Sequence, residues 1–254
     1  MISKAELKRV CALQQKKYRA ESQRFLVQGR KVVAELLASA VRAESVFASE
    51  EAAVFIAEAA RRKSVSVQVL PQHQLDRIGT LEAGNELVAV AVEPEPLAFR
   101  APAAGELMLA LDDVRDPRNM GGLVRIADWF GLSRVICSPD CIDVYNPKVV
   151  GSTMGSIFRV EVRRASLADE LTRCAAAGAG LFLASMDGAS VFEAKLARPS
   201  VLVLGNESHG LSETLRALDA TVIAVPRIGQ AESLNVAMAA AALCSEFVRQ
   251  AQPR

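Results

Sequence analysis

Histidine is nearly absent from this 254-residue chain, which has only His73 and His209. The five cysteines, Cys11, Cys137, Cys141, Cys174 and Cys244, are odd in number and scattered. Cys137 and Cys141 are close, but no second pair completes a metal-ligand spacing, so no metal is expected, and a disulfide framework is equally out of place. A reducing compartment follows, and the cytoplasm is the expected location. No apolar run approaches the roughly 20 residues needed to cross a bilayer, and the polar, charged N-terminus does not read as a signal peptide. A soluble protein with no membrane partner is expected.

Several catalytic fingerprints are missing as well. There is no GxGxxG, no HExxH and no GxSxG, which removes the usual dinucleotide, metalloprotease and α/β-hydrolase readings. Gly205 to Ser212, GNESHGLS, has the glycine spacing of a Walker A loop, but Leu211 stands where the phosphate-gripping lysine must be. Charge is also scarce overall, at +1. A net value so small makes no demand for a nucleic-acid partner on the chain as a whole. The distribution is uneven, however. Lys4, Lys8, Arg9, Lys16, Lys17 and Arg19 crowd the first helical pattern, with more bases up to Lys31 and only Glu6 and Glu21 against them. Such a run is either a solvated helix face or a phosphate-binding one.

What the chain does have is apolar material, 51% of its residues, enough for a substantial core. Its pattern is α/β. Residues 4–20 read as one basic helix, Phe25–Gln28 as a strand, 31–39 as a helix and 45–48 as a strand. A helix over 51–62 and strands over 65–70 and 87–92 follow. Residues 93–106, with three prolines and no period, read as a linker between a first domain (1–92) and a second (107–254). In the second, strands are expected at 107–111, 134–137, 158–162, 180–184, 201–204 and 221–225. Helices are expected at 122–130, 167–177 and 234–250. Apolar runs of this kind suit a parallel sheet covered on both faces.

Three segments repeat one build, an apolar strand followed by a polar turn and a helix: 109–131 (LALDDVRDPRNMGGLVRIADWFG), 202–212 (LVLGNESHGLS) and 225–237 (VPRIGQAESLNVA). They put polar chemistry at the carboxyl ends of strands, where open α/β sheets bind ligands. In the first, Asp116 or Asn119 can cap a helix, and Arg125 sits in an otherwise apolar stretch, either poised for chemistry or ion-paired with Asp128 or Asp113. In the second, Glu207 and Ser208 are either functional or caps of the next helix. In the third, Ser233 is placed to cap the long helix, with Asn235 in its first turn. His209 has no nucleophile beside it and reads as a surface residue.

Together the three segments resemble the SpoU (TrmH-like) branch of the SPOUT RNA methyltransferases. The matching residues are Asn119 with Arg125 six residues on, Leu204–Glu207 with Gly210–Ser212, and Pro226 with Ser233–Val236. The N-terminal part, including FLVQGRKVV at 25–33, looks like the small substrate-binding domain that precedes the catalytic one in many members. The sequence departs at Ser208-His209, where a glycine often follows the glutamate, and at Arg227, where an uncharged residue is common.

The resemblance implies an α/β fold ending in a deep trefoil knot, preceded by a small α/β domain like ribosomal protein L30e. It implies S-adenosyl-L-methionine as cofactor, held by Leu204, Gly205, Asn206, Val225, Pro226 and Leu234. It implies a homodimer, with the long C-terminal helix and its Met238 and Leu243 as a candidate surface. The implied reaction is methyl transfer to a ribose 2′-hydroxyl of RNA, ribosomal in preference to transfer RNA, with Asn119, Arg125, Glu207, Ser233 and Asn235 as the catalytic surface. A fold-retaining RNA-binding module without catalysis, and an enzyme modifying a base, are the alternatives.

Overall fold

The computed structural model describes residues 2–81, 84–95 and 98–252. In chain order its elements begin with α1 (Lys4–Ala12), α2 (Lys16–Ser22), β1 (Arg24–Gln28), α3 (Arg30–Ala38), β2 (Ala43–Ala48), α4 (Glu50–Arg62), β3 (Val67–Val69), α5 (Gln72–Ile78) and β4 (Leu87–Val92). They continue with β5 (Leu107–Leu111), α6 (Pro117–Trp129), β6 (Arg134–Cys137), α7 (Pro147–Thr153), β7 (Glu161–Arg164) and α8 (Leu167–Ala176). The last are β8 (Gly180–Ser190), β9 (Ser200–Leu204), α9 (Glu213–Arg216), β10 (Thr221–Ala224) and α10 (Val236–Ala251). Two compact units result: Met1–Glu95 with Asp143–Arg159, and Pro96–Ile142 with Val160–Arg254.

The first unit carries a four-stranded sheet in the order β1-β4-β2-β3, antiparallel except for the β2/β3 pair. Leu7 and Val10 of α1 and Leu75 and Ile78 of α5 join Leu26, Phe47, Val88 and Val90 of the strands in one apolar cluster. The expected single helix over 4–20 is in fact two. The break is pinned by Gln14, whose amide nitrogen donates to the carbonyls of Arg77 and Ile78, both at 2.9 Å, and Gly79 at 3.2 Å. These are carbonyls at the end of α5, which a helix leaves without intrahelical partners.

The break also frames a buried arginine. Arg19, 2% exposed, donates to Asp143 Oδ2 through Nε (2.9 Å) and Nη2 (2.6 Å), and through Nη1 to the carbonyls of Leu13 (2.8 Å) and Gln14 (3.0 Å). Phe25 stacks against Tyr145 with centroids 4.6 Å apart, and α7 packs on β1. The stretch Asp143–Arg159, expected inside the second domain, is therefore part of the first unit's core. Its apolar residues Val149 and Val150 are fully buried there.

The second unit is a six-stranded, wholly parallel sheet ordered β10-β8-β9-β5-β6-β7. β5, β6 and β9 are buried at every residue, as strands covered on both faces must be. Met108, Ala110, Val201 and Val203 pack with Leu167, Leu171 and Cys174 of α8 and Leu215 of α9. α6 packs against α10, closely enough that a Cβ on Gly122 would lie 3.3 Å from that of Ala237. Phe182 meets Phe247 of α10 edge-on at 5.1 Å.

Three expectations need correction here. The strand placed at 158–162 begins at Glu161, because Gly155 (φ +101°) starts a short 3-10 turn over Ser156–Phe158. β7 is an edge strand, half open to solvent, so its apolar signal is weak. β8 runs on to Ser190, with a register shift that carries its pairing with β10 from Leu183 to Ala189.

The third correction concerns the expected linker at 93–106. Pro96 and Leu97 lie outside the described residues. From Phe99 onward the segment is tied to the second unit: Arg173 lies 3.5 Å over the Phe99 ring, and Arg100 forks onto both Glu106 oxygens at 2.8 Å. Burial would raise the Glu106 carboxyl, but Arg100, the Ala103 amide and the Ser133 hydroxyl outweigh it and hold its pKa at about 2.

Candidate active site

In the second unit, chain order along the sheet reverses at β5 and β9. β5 leads to β6 on one side, while its other neighbour, β9, comes from far along the sequence. The crevice beyond the carboxyl ends of such a pair is where open parallel sheets take ligands. The first two motif segments leave the sheet there.

After β5 the ladder continues one residue, with the Asp112 amide donating to the Leu204 carbonyl at 2.8 Å. Asp112 Oδ2 accepts from the Ser212 amide at 2.8 Å. Asp116 then caps α6: its Oδ1 accepts from the amides of Arg118 (2.8 Å) and Asn119 (2.9 Å), and Pro117 supplies the first helical residue. Proline suits that position because its missing N–H would be unpaired there anyway. With Asp116 as cap, Asn119 stands in the first turn of α6 with its side chain free for other work.

After β9 the chain forms a tight hairpin, closed by reciprocal hydrogen bonds between Asn206 and Gly210, both 2.9 Å. Gly205 is obligatory for this closure, since a Cβ there would lie 2.4 Å from the Gly210 carbonyl carbon. Glu207 does not cap the next helix; α9 begins after Ser212. Instead it faces Asn119.

The long helix α10 is capped by Asn235, not by Ser233 as expected. Asn235 Oδ1 accepts from the amides of Ala237 (3.0 Å) and Met238 (3.4 Å). This fixes which way the side chain points. With its oxygen committed to the helix, its Nδ2 donates to Asn119 Oδ1 at 2.8 Å, and Asn119 Nδ2 then donates to Glu207 Oε1 at 2.6 Å. Each amide orientation forces the next. One residue from each motif segment thus joins a single ordered chain of hydrogen bonds that ends on a carboxylate.

Arg125 and Ser233 are not part of that chain. Arg125 is exposed on α6 and makes no hydrogen bond or ion pair among the described residues. Asp113, one of its suggested partners, pairs with Arg115 and His209 instead. Ser233 lies exposed two residues before the cap, in a loop that also exposes Ile228 and Leu234. Trp129, one turn beyond Arg125, is 84% exposed. Met238 is exposed on α10, but Leu243, expected beside it on a surface stripe, is buried in the unit's own core.

The residues expected to hold a cofactor divide into two sets. Leu204 and Asn206 are occupied within the protein: Leu204 in the sheet, and Asn206 through bonds from its Nδ2 to the Asp113 carbonyl (2.8 Å) and from the Ser208 amide to its Oδ1 (2.8 Å). Val225, Pro226 and Leu234 border an open loop, and the main-chain groups of Val225 and Leu234 have no hydrogen-bond partner among the described residues. The sequence pattern gives Asp112 no role and Asp113 only that of a partner for Arg125, whereas both tie the segment after β5 to the hairpin after β9. The doubled acid directly after a fully apolar strand was the available signal.

Comparisons with known proteins identify the family. The profile of the SpoU rRNA methylase family matches residues 106–245, and that of the MRM3-like substrate binding domain matches residues 4–89. The chain is 30% identical over 232 residues to the 23S rRNA (guanosine(2553)-2′-O)-methyltransferase RlmP of Bacillus subtilis, covering 91% of each chain. A TrmH-family structure from Porphyromonas gingivalis superposes with a TM-score of 0.86 at 34% identity, covering 98% of this chain and 99% of that one. An AdoMet-bound rRNA methyltransferase from Sinorhizobium meliloti gives 0.87 at 28% identity over 98% and 97%. The protein belongs to the SpoU rRNA methylase family.

Proposed function

We propose that this protein is an S-adenosyl-L-methionine-dependent methyltransferase acting on a ribose 2′-hydroxyl of RNA, ribosomal RNA in preference to transfer RNA. The observation that carries the reading is the ordered chain Asn235–Asn119–Glu207 at the sheet's switch point, with, on the same helix as Asn119, a guanidinium (Arg125) that has no partner among the described residues. The relative named for a 23S rRNA ribose methylation supports the choice of RNA.

The site's donor set suits the cofactor. Main-chain groups of Val225 and Leu234 that have no partner among the described residues, beside exposed Leu234 and Ile228, offer the mixture of hydrogen bonds and apolar surface that a purine ring takes. Pro226 shapes that loop, Gly205 keeps its neighbouring hairpin narrow, and Leu204 and Asn206 support it from behind. When bound, the cofactor supplies an already activated methyl group. What the chain must supply is a well-placed oxygen nucleophile. Arg125 stabilises negative charge developing on the 2′-oxygen; a guanidinium holds its proton too tightly to serve readily as the base. Asn119, held from both sides, keeps Glu207 aimed, and Glu207 Oε2, which has no hydrogen-bond partner among the described residues, orients the ribose. Ser233 contributes a further hydrogen bond where α10 begins.

The first unit serves as the RNA-binding domain. Lys4, Lys8, Lys16, Lys17 and Tyr18 are exposed along α1 and α2, a set that meets phosphates and a stacked base. An L30e-like fold for that unit, a trefoil knot formed by the C-terminal chain, a homodimer built on the exposed Trp129 and Met238, and a cytoplasmic location complete the reading. Five free cysteines suit that compartment. Among the described residues no helix is long and apolar enough to cross a membrane.

The test is transfer from radiolabelled S-adenosylmethionine to ribosomal and transfer RNA lacking native modification, followed by nuclease digestion. Label in a 2′-O-methylated nucleoside of ribosomal RNA is the expected result. Label on a base overturns the ribose assignment, and a protein that binds RNA but no cofactor is the non-catalytic module.

A further inference from the structure

Asp113 occupies a position where a side chain has a cost. Its φ of +54° lies in the left-handed region, which glycine enters freely, aspartate and asparagine at some cost, and other L-residues rarely. The side chain is heavily used there. Oδ1 accepts from Arg115 Nε at 2.7 Å, while Oδ2 lies 3.3 Å from Asn206 Nδ2 and 3.2 Å from His209 Nε2. The carbonyl of the same residue accepts from Asn206 Nδ2 at 2.8 Å. Its amide is itself held by Ser138 Oγ at 2.9 Å, and the neighbouring Val114 amide by Cys141 Sγ at 3.3 Å. Asp113 is thus fixed from the β6 side and grips the hairpin after β9 from the other.

That hairpin, Asn206–Gly210, is closed at its base, and Glu207, Ser208 and His209 form its tip. Glu207 reaches Asn119 on one side, while Asn206 and His209 reach Asp113 on the other. A tip so narrow can pivot about Gly205 and Gly210 unless something opposes it. We infer that Asp113 is a positioning residue for the proposed methyl transfer, setting the angle of the Asn206–Gly210 hairpin so that the Glu207 carboxylate meets Asn119. The inference rests on the reading of Glu207 as part of the catalytic surface.

Asp113→Gly tests it cleanly. Glycine keeps the left-handed backbone and the carbonyl that Asn206 uses, and removes only the carboxylate. Its kcat for methyl transfer should fall about tenfold, while calorimetric S-adenosylmethionine affinity changes less than about threefold. Hydrogen exchange at the Ser208 and Gly210 amides, both held by Asn206, should quicken. Asp113→Asn, which tolerates the same φ and keeps one acceptor, should recover most of the loss. In a Glu207→Gln background Asp113→Gly should have little further effect, because the two act through one contact. Multiplied effects in the double variant, or unchanged exchange at the hairpin amides, overturn the inference. If Glu207→Gln alone leaves kcat at the parent value, it is the catalytic reading of Glu207 that fails, and the exchange experiment still decides whether Asp113 holds the loop.

Discussion

Each unit of this chain holds one arginine that stands apart from its other charges, and the two are handled in opposite ways. Arg19 in the first unit is buried, and its donors are spread over one carboxylate and two carbonyls. At 2% exposure it is out of a ligand's reach. Such an arginine fixes where α2 and the Asp143 segment sit, and it costs stability if cut, because its partners are already desolvated. Arg125 in the second unit is exposed and unpaired among the described residues, yet the helix beneath it is anchored by the Asp116 cap and, through Asn119, by a chain to Glu207 and α10. Saturated groups build architecture. A charge left open on a rigid support is available for chemistry.

The sharpest way to break that contrast is to exchange the consequences. Arg125→Lys keeps a cation but loses the planar fork, and should lower kcat by about 100-fold or more, equivalent to roughly 3 kcal/mol of transition-state stabilisation. Urea unfolding should be unchanged. An equal loss in S-adenosylmethionine affinity would show that Arg125 binds the cofactor rather than the developing oxyanion.

Arg19→Met should do the reverse. It leaves the largely buried Asp143 carboxylate, 17% exposed at its side chain, without its partner and should cost about 3 kcal/mol of stability. The folded fraction should retain its turnover. A fall in kcat without a fall in stability would mean that the buried cluster has a part in the reaction.

A smaller effect separates capping from relay at one residue. Asn235→Asp retains the oxygen that caps α10 but replaces the donor that Asn119 needs with a second acceptor. Stability should be unchanged, while kcat falls about tenfold, the loss of one oriented hydrogen bond. Asn235→Ala should lose both, with about 1 kcal/mol of stability from the missing cap. Parent-level kcat in Asn235→Asp would reduce Asn235 to a helix cap.

How much of this could be read from the sequence depended on range. Fully buried strands such as β5, β6 and β9 announce themselves because parallel pairing requires apolar residues on both faces. The three motif turns were legible for the same reason, since polar residues stand out where apolar strands end. Local pattern could not reveal that Gln14 breaks the first helix, because its partners lie 63 to 65 residues away. Nor could it place Asp143–Arg159 in the first unit, because a chain that returns leaves no compositional seam. Choosing Ser233 over Asn235 as the cap was a two-residue error typical of helix ends, where several polar residues compete for one set of amides. Asn119, Asn235 and Glu207 were visible as residues, but the order of donors among them follows only from the cap.

The least of the expected effects refines the first unit's half of the comparison. Glu93, half-buried just after β4, has its carboxyl pushed up to about 7, chiefly by burial, further by the nearby Asp143 charge, and against the pull of Arg19. A raised folded-state pKa means the folded protein holds that proton more tightly than the unfolded chain, whose carboxyl titrates near 4.5. The stabilising contribution is therefore full below about pH 4.5 and is lost as pH rises through 7. Glu93→Gln, which cannot ionise, should match the parent near pH 4.5 and exceed it by about 1 kcal/mol at pH 8, a figure reduced for the solvent that still reaches the group. Urea unfolding at the two pH values gives the difference directly. A gain independent of pH would mean that Glu93 is charged in the fold throughout, and that the Arg19–Asp143 pair tolerates a second carboxylate without penalty.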